Sequence, residues 1–323
     1  MKRHGVILCS IIAVIATLLG QLFPIIGGII FSIILGIIIS NAIKLPDQYQ
    51  PGIKFASKKI LQYAIIVMGF TLNLRVVVEM GLSSLPITLT TITAALLTSL
   101  WLGKVMNIGE NIRTLIGVGT AICGGSAIAA ASPIVDAKED EVAFSLSTIF
   151  LFNIIAVFIF PVIGHTIGLS DIGFGHFAGT AINDTSSVVA AGYAYSETAG
   201  DTATIVKLVR ALMIIPVCLI LVMVQLKKSE KRAFSIKKVF PWFILYFFLA
   251  SVVTSIINLP ETIISYIKML STFMISIAMA GIGLSVSIKQ FRSIGIKPVL
   301  LGASVWFVVA GISLIMQWLL NIW

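Results

Sequence analysis

The chain has 323 residues, of which 58% are apolar and only 11% are charged, and its mean hydropathy is +1.09. Soluble globular domains carry about 25% charged residues, so this composition excludes a water-soluble fold. The net charge of +9 does not indicate a nucleic-acid partner, because the basic residues cluster between long apolar runs, where they meet anionic membrane lipid.

Eleven apolar runs follow one another along the chain, each close to the ~20 residues that a helix needs to cross a bilayer core. They predict transmembrane helices at about residues 5–23, 24–40, 60–78, 84–104, 114–133, 141–164, 176–195, 204–226, 239–257, 263–284 and 298–320. No small-residue cleavage pattern ends the first run, so we interpret it as a helix rather than a signal peptide. The predicted fold is an all-α integral membrane protein with one transmembrane domain over residues 1–323.

The basic residues also predict an orientation. Seventeen of the 22 lysines and arginines fall on one side of the predicted spans, including the cluster from Lys227 to Lys238. Because cytoplasmic loops are enriched in basic residues, we predict a cytoplasmic N-terminus and an external C-terminus.

The three cysteines, Cys9, Cys123 and Cys218, lie inside apolar runs without metal-ligand spacing. The histidines and acidic residues do not form a cage pattern either. We expect no disulfide, no metal site and no cofactor.

The predicted fifth span contains an unusual run of small residues from Gly119 to Pro133, with Gly124, Gly125 and Ser126 at its centre. Paired glycines weaken a membrane helix, and backbone N–H groups at a helix break attract anions. Broken helices of this kind occur in secondary transporters. The alternative is that these small residues line a close crossing of two helices.

The predicted seventh span repeats this pattern at an offset of 60 residues, since both segments begin with Gly-Thr-Ala-Ile. Its centre carries five consecutive polar residues, and an ionisable group inside a span is costly unless it faces protein or water. This makes Asp184 the strongest single candidate for contact with a coupling ion, such as Na⁺ or H⁺, or with a substrate. The five polar residues are Asn183, Asp184, Thr185, Ser186 and Ser187.

The next span carries Lys207 and Arg210, which share one helix face because they are three residues apart. These cations are candidates to contact an anionic substrate or to neutralise Asp184. Lys207 has the alternative of extending to the outer interface. Asn153, an isolated amide, is interpreted as an interhelical hydrogen-bonding residue.

Internal repeats are a further expectation. Gly69 to Leu74 with Pro86 matches Gly281 to Val286 with Pro298 in spacing, and the two spans run in opposite directions in the predicted topology. A second register pairs predicted helices two to six with seven to eleven. Both registers predict inverted repeats, and the sequence leaves the choice open.

Four motifs together resemble the YeiH-type sulfate exporter family over essentially the whole chain. They are Cys123-Gly124-Gly125-Ser126-Ala127-Ile128-Ala129-Ala130, Leu151-Phe152-Asn153 with Pro161, Asp184-Thr185-Ser186-Ser187-Val188-Val189-Ala190-Ala191-Gly192, and Val206-Lys207-Leu208-Val209-Arg210 with Pro216. The resemblance implies a bacterial plasma-membrane protein with interrupted, crossing helices, distantly similar to bile-acid and sodium/proton exchange transporters. It also implies sulfate or a related oxyanion as substrate. Many family members have a histidine where this chain has Asn183.

The expected function is a secondary transporter that exports a small anion such as sulfate or an organosulfonate. The chain has no GxxxxGK[ST] motif for ATP, so an ion gradient is expected to drive transport. Alternatives are an intramembrane enzyme acting on a lipid-linked substrate, and a scaffold or sensor that transports nothing; the sequence leaves open whether the chain forms a homo-oligomer. The predicted substrate contacts are Gly124, Gly125, Ser126, Thr185, Ser186, Ser187 and Arg210, and the predicted coupling-ion or proton contacts are Asp184 and Asn183.

Overall fold

A computed structural model describes residues 2–22, 27–43, 45–226, 242–257, 259–286 and 296–323. These residues form helices joined by short turns, and no strand occurs among them. In chain order the helices are α1 (Arg3–Leu22), α2 (Gly27–Ala42), α3 (50–69), α4 (Leu74–Val105), α5 (Glu110–Ala121), α6 (Gly125–Val135), α7 (Glu139–Thr166), α8 (Asp171–Ala181), α9 (Thr185–Tyr195), α10 (Glu197–Leu212), α11 (Ile214–Leu226), α12 (Trp242–Ile257), α13 (Glu261–Ser285) and α14 (Ile296–Leu319).

Six helical segments within the described ranges are long and apolar enough to cross a membrane. They are Arg3–Leu22, Leu74–Val105, Asp140–Thr166, Glu197–Gln225, Glu261–Ser285 and Ile296–Leu319. The prediction of an all-helical, multi-pass membrane protein is therefore confirmed. The number of crossings, the inverted repeats and the orientation stay predictions.

The described residues pack into two compact units, one formed within residues 1–79 and 242–289 and the other within 80–241 and 290–323. In the first unit, α1, α3 and α13 share an apolar core that includes Cys9, Ile53 and Ala280. Glycines allow close backbone contact there, because a Cβ on Gly36 would lie 2.9 Å from the Cα of Gly283.

The third helix lies earlier in the chain than the predicted span 60–78. It runs over residues 50–69 with a π-helical turn at Ala56–Ile60, and residues 70–73 then form a turn before α4 begins at Leu74. The lysines at its start did not prevent helix formation because Lys54, Lys58 and Lys59 are exposed on its surface, where long side chains keep their charge in water.

The predicted span 114–133 is corrected by the structure, which forms a helical hairpin there. The arms α5 and α6 have 12 and 11 residues, so each is about 17 Å long, well short of the ~30 Å of a bilayer core. Asn111 at the start of α5 donates to Glu141 Oε2 at 2.8 Å, and that oxygen also accepts from the Lys138 N–H, just after α6. The two ends of this first hairpin therefore lie together.

The predicted span 176–195 is corrected in the same way. Its arms α8 and α9 have 11 residues each. The Tyr195 hydroxyl, at the end of α9, donates to the Leu169 carbonyl before α8 at 2.6 Å, and the Tyr195 ring stacks on Phe174 with a centroid distance of 4.0 Å. A continuous helix would separate these residues by more than 30 Å, so this segment is a second hairpin.

The long helix α7 joins the two hairpins and aligns them. The base of the first hairpin lies at its start, where Glu141 binds Asn111, and the base of the second lies at its end, where Gly164 packs against Phe174 and Tyr195. The hairpins therefore extend toward each other along α7 from opposite ends.

Several sequence interpretations lie wholly or partly outside the described residues. The basic cluster from Lys227 to Lys238 is one of them. Three predicted spans also extend beyond these residues, because residue 23 of span 5–23, residues 24–26 of span 24–40 and residues 239–241 of span 239–257 are not described.

Candidate functional site

The tips of the two hairpins meet at the middle of α7, within the second unit. The first tip is Ile122 to Gly124 and the second is Ile182 to Asp184. A Cβ on Gly124 would lie 3.4 Å from Ile149 Cγ2 on α7 and 3.5 Å from Asp184 Cβ. The offset-60 repeat in the sequence thus brings its two copies into contact.

Asn153 on α7 positions the second tip. Its Oδ1 accepts from the backbone N–H groups of Asn183 at 3.2 Å and Asp184 at 3.3 Å. These N–H groups lie between α8 and α9, where the chain has left one helix and not yet entered the next. The interpretation of Asn153 as an interhelical hydrogen-bonding residue agrees with this geometry.

Gly124 gives the first tip its shape. Its φ of +65° with ψ of −123° lies in a region that residues with a Cβ rarely adopt. The chain reverses here, and Gly124 then serves as the N-cap of α6. Because it has no side chain, it provides no acceptor for the first N–H groups of that helix.

Asp184 occupies the equivalent N-cap position of α9 and does provide an acceptor. Its Oδ2 accepts from Ser186 N at 3.1 Å and Ser187 N at 3.4 Å, and also from the Ser186 hydroxyl. A carboxylate at a helix N-terminus also interacts favourably with the helix dipole. The carboxylate is therefore engaged by the first turn of its own helix.

Lys207 on α10 joins the two tips. Its side chain is 0% exposed, and Nζ donates to the carbonyl oxygens of Ile122 and Ile182, both at 2.8 Å. These two isoleucines are equivalent in the offset-60 repeat. The alternative that Lys207 extends to the outer interface is corrected by this burial.

Arg210 binds both hairpins one turn further along α10. Its Nε donates to the Ala121 carbonyl at 2.6 Å, Nη2 to the Thr120 carbonyl at 3.0 Å, and Nη1 to the Thr180 carbonyl. These acceptors are the terminal carbonyls of α5 and α8, the negative ends of the two helix dipoles. Since the guanidinium is 0% exposed, it acts on the tips from within the protein.

The residues that the sequence singled out for the site lie at the two tips, in the first turns of α6 and α9, or on α10. Ser126 is exposed, whereas Asn183 is 1% exposed and Arg210 is 0% exposed. The partly exposed members are Gly125, Asp184, Thr185 and Ser186, and the buried ones are Gly124 and Ser187. The starts of α6 and α9 are therefore not fully covered by protein, while Arg210 has its donors on backbone carbonyls.

Several functional groups at the tips were missed or only partly recognised. Trp306 on α14 donates through Nε1 to the Ala181 carbonyl at 3.1 Å, and nothing in the sequence indicated this contact. The bridging by Lys207 did have a signal, because the offset-60 alignment already paired Ile122 with Ile182. What the sequence did not show is that each of the two segments folds as a hairpin, so that Ile122 and Ile182 lie close together.

Some buried polar atoms at the tips have no hydrogen-bond partner within the described part of the chain. Both side-chain atoms of Asn183 and the Nδ2 of Asn153 belong to this group, as does the Thr120 hydroxyl. Buried polar groups normally find partners, including water. At the second tip, the Asn183 side chain thus has donors and an acceptor that water or another polar species can pair with. Across the described residues, no cluster of three His, Cys, Asp or Glu could hold a metal ion.

Comparison with known proteins now gives the family. The family described as conserved hypothetical protein 698 matches residues 4–302. A UPF0324 membrane protein of Fusobacterium nucleatum is 45% identical over 99% of both chains, and one of Streptococcus agalactiae is 46% identical over 100% of this chain and 98% of its own. The chain belongs to the UPF0324 membrane protein family. Its YeiH-type resemblance is thereby confirmed.

A UPF0324 membrane protein of Streptococcus mutans is also 46% identical, over 100% of this chain and 98% of its own length. Each of these three relatives is covered almost completely. Their names describe a membrane protein and state neither a substrate nor a reaction, so the function of this UPF0324 protein has to be argued from its own site.

Proposed function

We propose that this UPF0324 protein is a secondary transporter for a small oxyanion, such as sulfate or an organosulfonate, in the bacterial plasma membrane. The observation that carries the proposal is the pair of hairpin tips at the middle of α7. There the N-termini of two helices, α6 and α9, lie next to each other. Helix N-termini bind anions through their free N–H groups and their positive dipole ends.

The internal repeat supports α6 as the anion contact. In the second hairpin, the Asp184 carboxylate accepts from the start of α9. The position equivalent to Asp184 in the first hairpin is Gly124, which has no carboxylate, while Ser126 retains the place of Ser186. A substrate oxyanion would take the place at α6 that the Asp184 carboxylate has at α9. The oxyanion would accept hydrogen bonds from the first backbone N–H groups of α6 and from the exposed Ser126 hydroxyl.

The charges around the tips also support an anion. The dipoles of α5 and α8 place partial negative charge at their C-termini, but Arg210 and Lys207 bind those carbonyl ends directly. With Lys207 as an ammonium, the two cations and Asp184 leave one net positive charge at the tips. A buried net charge is costly, and a bound anion offsets this positive charge.

The hairpins supply elements for alternating access. Since α7 is long enough to cross the bilayer, we propose that the first hairpin enters from one side and the second from the other. The two hairpins with their following helices would then form inverted repeats, a common plan of secondary transporters. Movement of either hairpin would open the tips to its own side of the membrane.

The orientation follows from the same plan. With two hairpins that return to their own side, the predicted alternation keeps the Lys227 to Lys238 cluster in the cytoplasm, and Lys138 joins it there. The first hairpin would then open to the cytoplasm and the second to the outside, which agrees with the positive-inside rule.

An enzyme is less well supported. General acid–base catalysis on a lipid-linked substrate needs a positioned acid or base at the site. At the tips the described residues offer one carboxylate, Asp184, and its Oδ2 already accepts three hydrogen bonds from α9. We therefore propose transport without a chemical reaction.

Sulfate binding to purified protein tests the proposal, with Ser126→Ala as the site variant and Ser132→Ala as its matched control further along α6. Sulfate, sulfite and taurine are compared by thermal shift, and the flux of radiolabelled sulfate is measured in proteoliposomes. We expect Ser126→Ala to weaken binding by about tenfold, because one hydrogen bond to a charged group is worth about 1.5–3 kcal/mol, and Ser132→Ala to bind like wild type. Equal binding by both variants, or no anion bound by wild type, rejects the proposed function.

A further inference from the structure

Lys207 has a position that the proposed anion site does not by itself require. Its Nζ bridges the Ile122 and Ile182 carbonyls, so one amino group holds the ends of both hairpin tips. Carbonyls at helix breaks are the groups that coordinate Na⁺ or protons in transporters with discontinuous helices. In this chain an amino group occupies that place.

We propose that Lys207 is the proton-carrying group of the transport cycle: it takes up a proton when the oxyanion binds and releases it when the oxyanion leaves, so both move in the same direction. The inference rests on the proposed transport function and names its coupling ion. The proton comes from the solution on the loading side and returns to the solution on the other side.

The geometry allows both protonation states of Lys207. A neutral amine has two N–H donors, and the two carbonyls require two. After loss of the proton, Lys207 can therefore still donate to both the Ile122 and the Ile182 carbonyl, while the local charge changes by one. A lysine changes its protonation on burial far more readily than an arginine.

Arg210 takes the complementary role of a constant charge. Its guanidinium stays protonated in proteins and binds carbonyls of α5 and α8. The terminal carbonyls of both helices thus keep a permanent cation, and Lys207 can vary its charge without leaving the helix ends uncompensated.

The groups around Lys207 favour it over the predicted proton carrier, Asp184. The charged or titratable groups that act on Lys207 are Arg210 on its own helix, Cys123 on the first tip and Asp184 on the second. From α7 and α14, the described side chains that bind the second tip are Asn153 and Trp306, which do not titrate. Asp184 is engaged in capping α9, where its Oδ2 accepts from Ser186 and Ser187.

The coupling has an electrical consequence for a dianion. Sulfate with one proton on Lys207 adds one net negative charge to the moving species. An inside-negative membrane potential then drives export, and an inward proton gradient opposes it. Because the moving species carries a net negative charge, the membrane potential favours export even though the anion and the proton move together.

Proteoliposomes with the membrane potential held at zero test the inference, with radiolabelled sulfate as the probe. In wild type, an alkaline lumen should speed sulfate uptake severalfold relative to equal pH, because it drives protons inward. Lys207→Arg fixes the positive charge, and Lys207→Gln fixes a neutral donor. Both should lose the response, giving a rate ratio near 1. Either folded variant suffices for the comparison.

Retention of the severalfold response in Lys207→Arg or Lys207→Gln overturns the inference, as does wild-type transport that ignores the pH gradient. Failure of the proposed function is different, because wild type then neither binds nor transports sulfate. In that case the thermal midpoints of wild type and Lys207→Arg are compared from pH 5 to 9. Divergence of the two curves supports a change of protonation at Lys207, and parallel curves overturn it.

Discussion

Asn153, at the middle of α7, accepts the backbone N–H of Asn183 at the tip of the second hairpin, with 3.2 Å between Oδ1 and N. The same oxygen accepts from the N–H of Asp184. One side chain thus satisfies two backbone donors that the gap between α8 and α9 would otherwise leave unpaired. A buried donor without a partner costs about 1–3 kcal/mol.

Replacement of Asn153 should therefore destabilise the second hairpin. We expect Asn153→Ala to lower stability by about 2–4 kcal/mol, since two buried N–H groups lose their acceptor. Ser147→Ala, on the same helix and without a comparable contact, should stay within about 0.5 kcal/mol of wild type. Thermal midpoints of the purified variants in one detergent check the difference, and equal midpoints would contradict the role given to Asn153.

The neighbouring glycines of the first tip should differ sharply. Gly124→Ala places a Cβ on a residue with φ of +65°, and such strain costs about 1–3 kcal/mol. Gly125→Ala lies inside α6, where its Cβ would meet Leu146 Cδ2 at 3.3 Å and Phe150 Cζ at 3.5 Å, and alanine favours a helix. We expect Gly124→Ala alone to lower the yield and thermal midpoint clearly. The reverse order would show that the first tip has another conformation.

Asp184 should tolerate asparagine better than alanine. Asparagine keeps an acceptor and is as good an N-cap as aspartate, whereas alanine costs about 0.5–2 kcal/mol at this position. Thermal midpoints should therefore rank wild type and Asp184→Asn above Asp184→Ala. If Asp184→Asn is as unstable as Asp184→Ala, the negative charge itself holds the tip, and capping is not the main contribution.

Replacement of Arg210 by either a small residue or lysine should impair transport. Arg210→Ala leaves the Thr120, Ala121 and Thr180 carbonyls without their cation, and Arg210→Lys restores the charge but not the fork of donors. We expect Arg210→Ala to lose sulfate transport and Arg210→Lys to recover only a small part of it, at matched expression. Wild-type flux from Arg210→Ala would show that the tips do not need this guanidinium.

The hairpins also predict which positions share a side of the membrane. In a chain without its native cysteines, Glu110→Cys and Asp140→Cys should react with an impermeant maleimide from one side, and Thr166→Cys and Glu197→Cys from the other. Two single spans would instead place Glu110 and Asp140 on opposite sides. Labelling of intact cells and of inverted vesicles distinguishes the two topologies.

The sequence was informative about the features that depend on neighbouring residues alone. An excess of apolar residues determines membrane insertion, because a bilayer core requires apolar side chains and helical backbone. The glycine pair and the polar run at Asn183 to Ser187 interrupt that pattern, so they identified both breaks. The offset of 60 residues showed that the two breaks are related.

The sequence does not determine whether a broken segment continues in one direction or turns back on itself. The main corrections concern this point. A run of 20 to 25 apolar residues is compatible with one crossing helix or with two half-length helices that turn back. The periodicity and the hydropathy are the same in both cases. Contacts distant in sequence, such as Asn111 with Glu141 and Tyr195 with Leu169, decide that both segments are hairpins.

Composition and the order of polar residues thus determined by themselves that this UPF0324 protein is a helical membrane protein with two related polar breaks. Only the tertiary structure decided that the breaks are tips that meet, and that Lys207 and Arg210 bind their carbonyl ends. The physical reason is that a buried cation takes its acceptors from whichever backbone ends lie nearest in space. In this chain those ends come from two hairpins that approach along α7 from opposite directions.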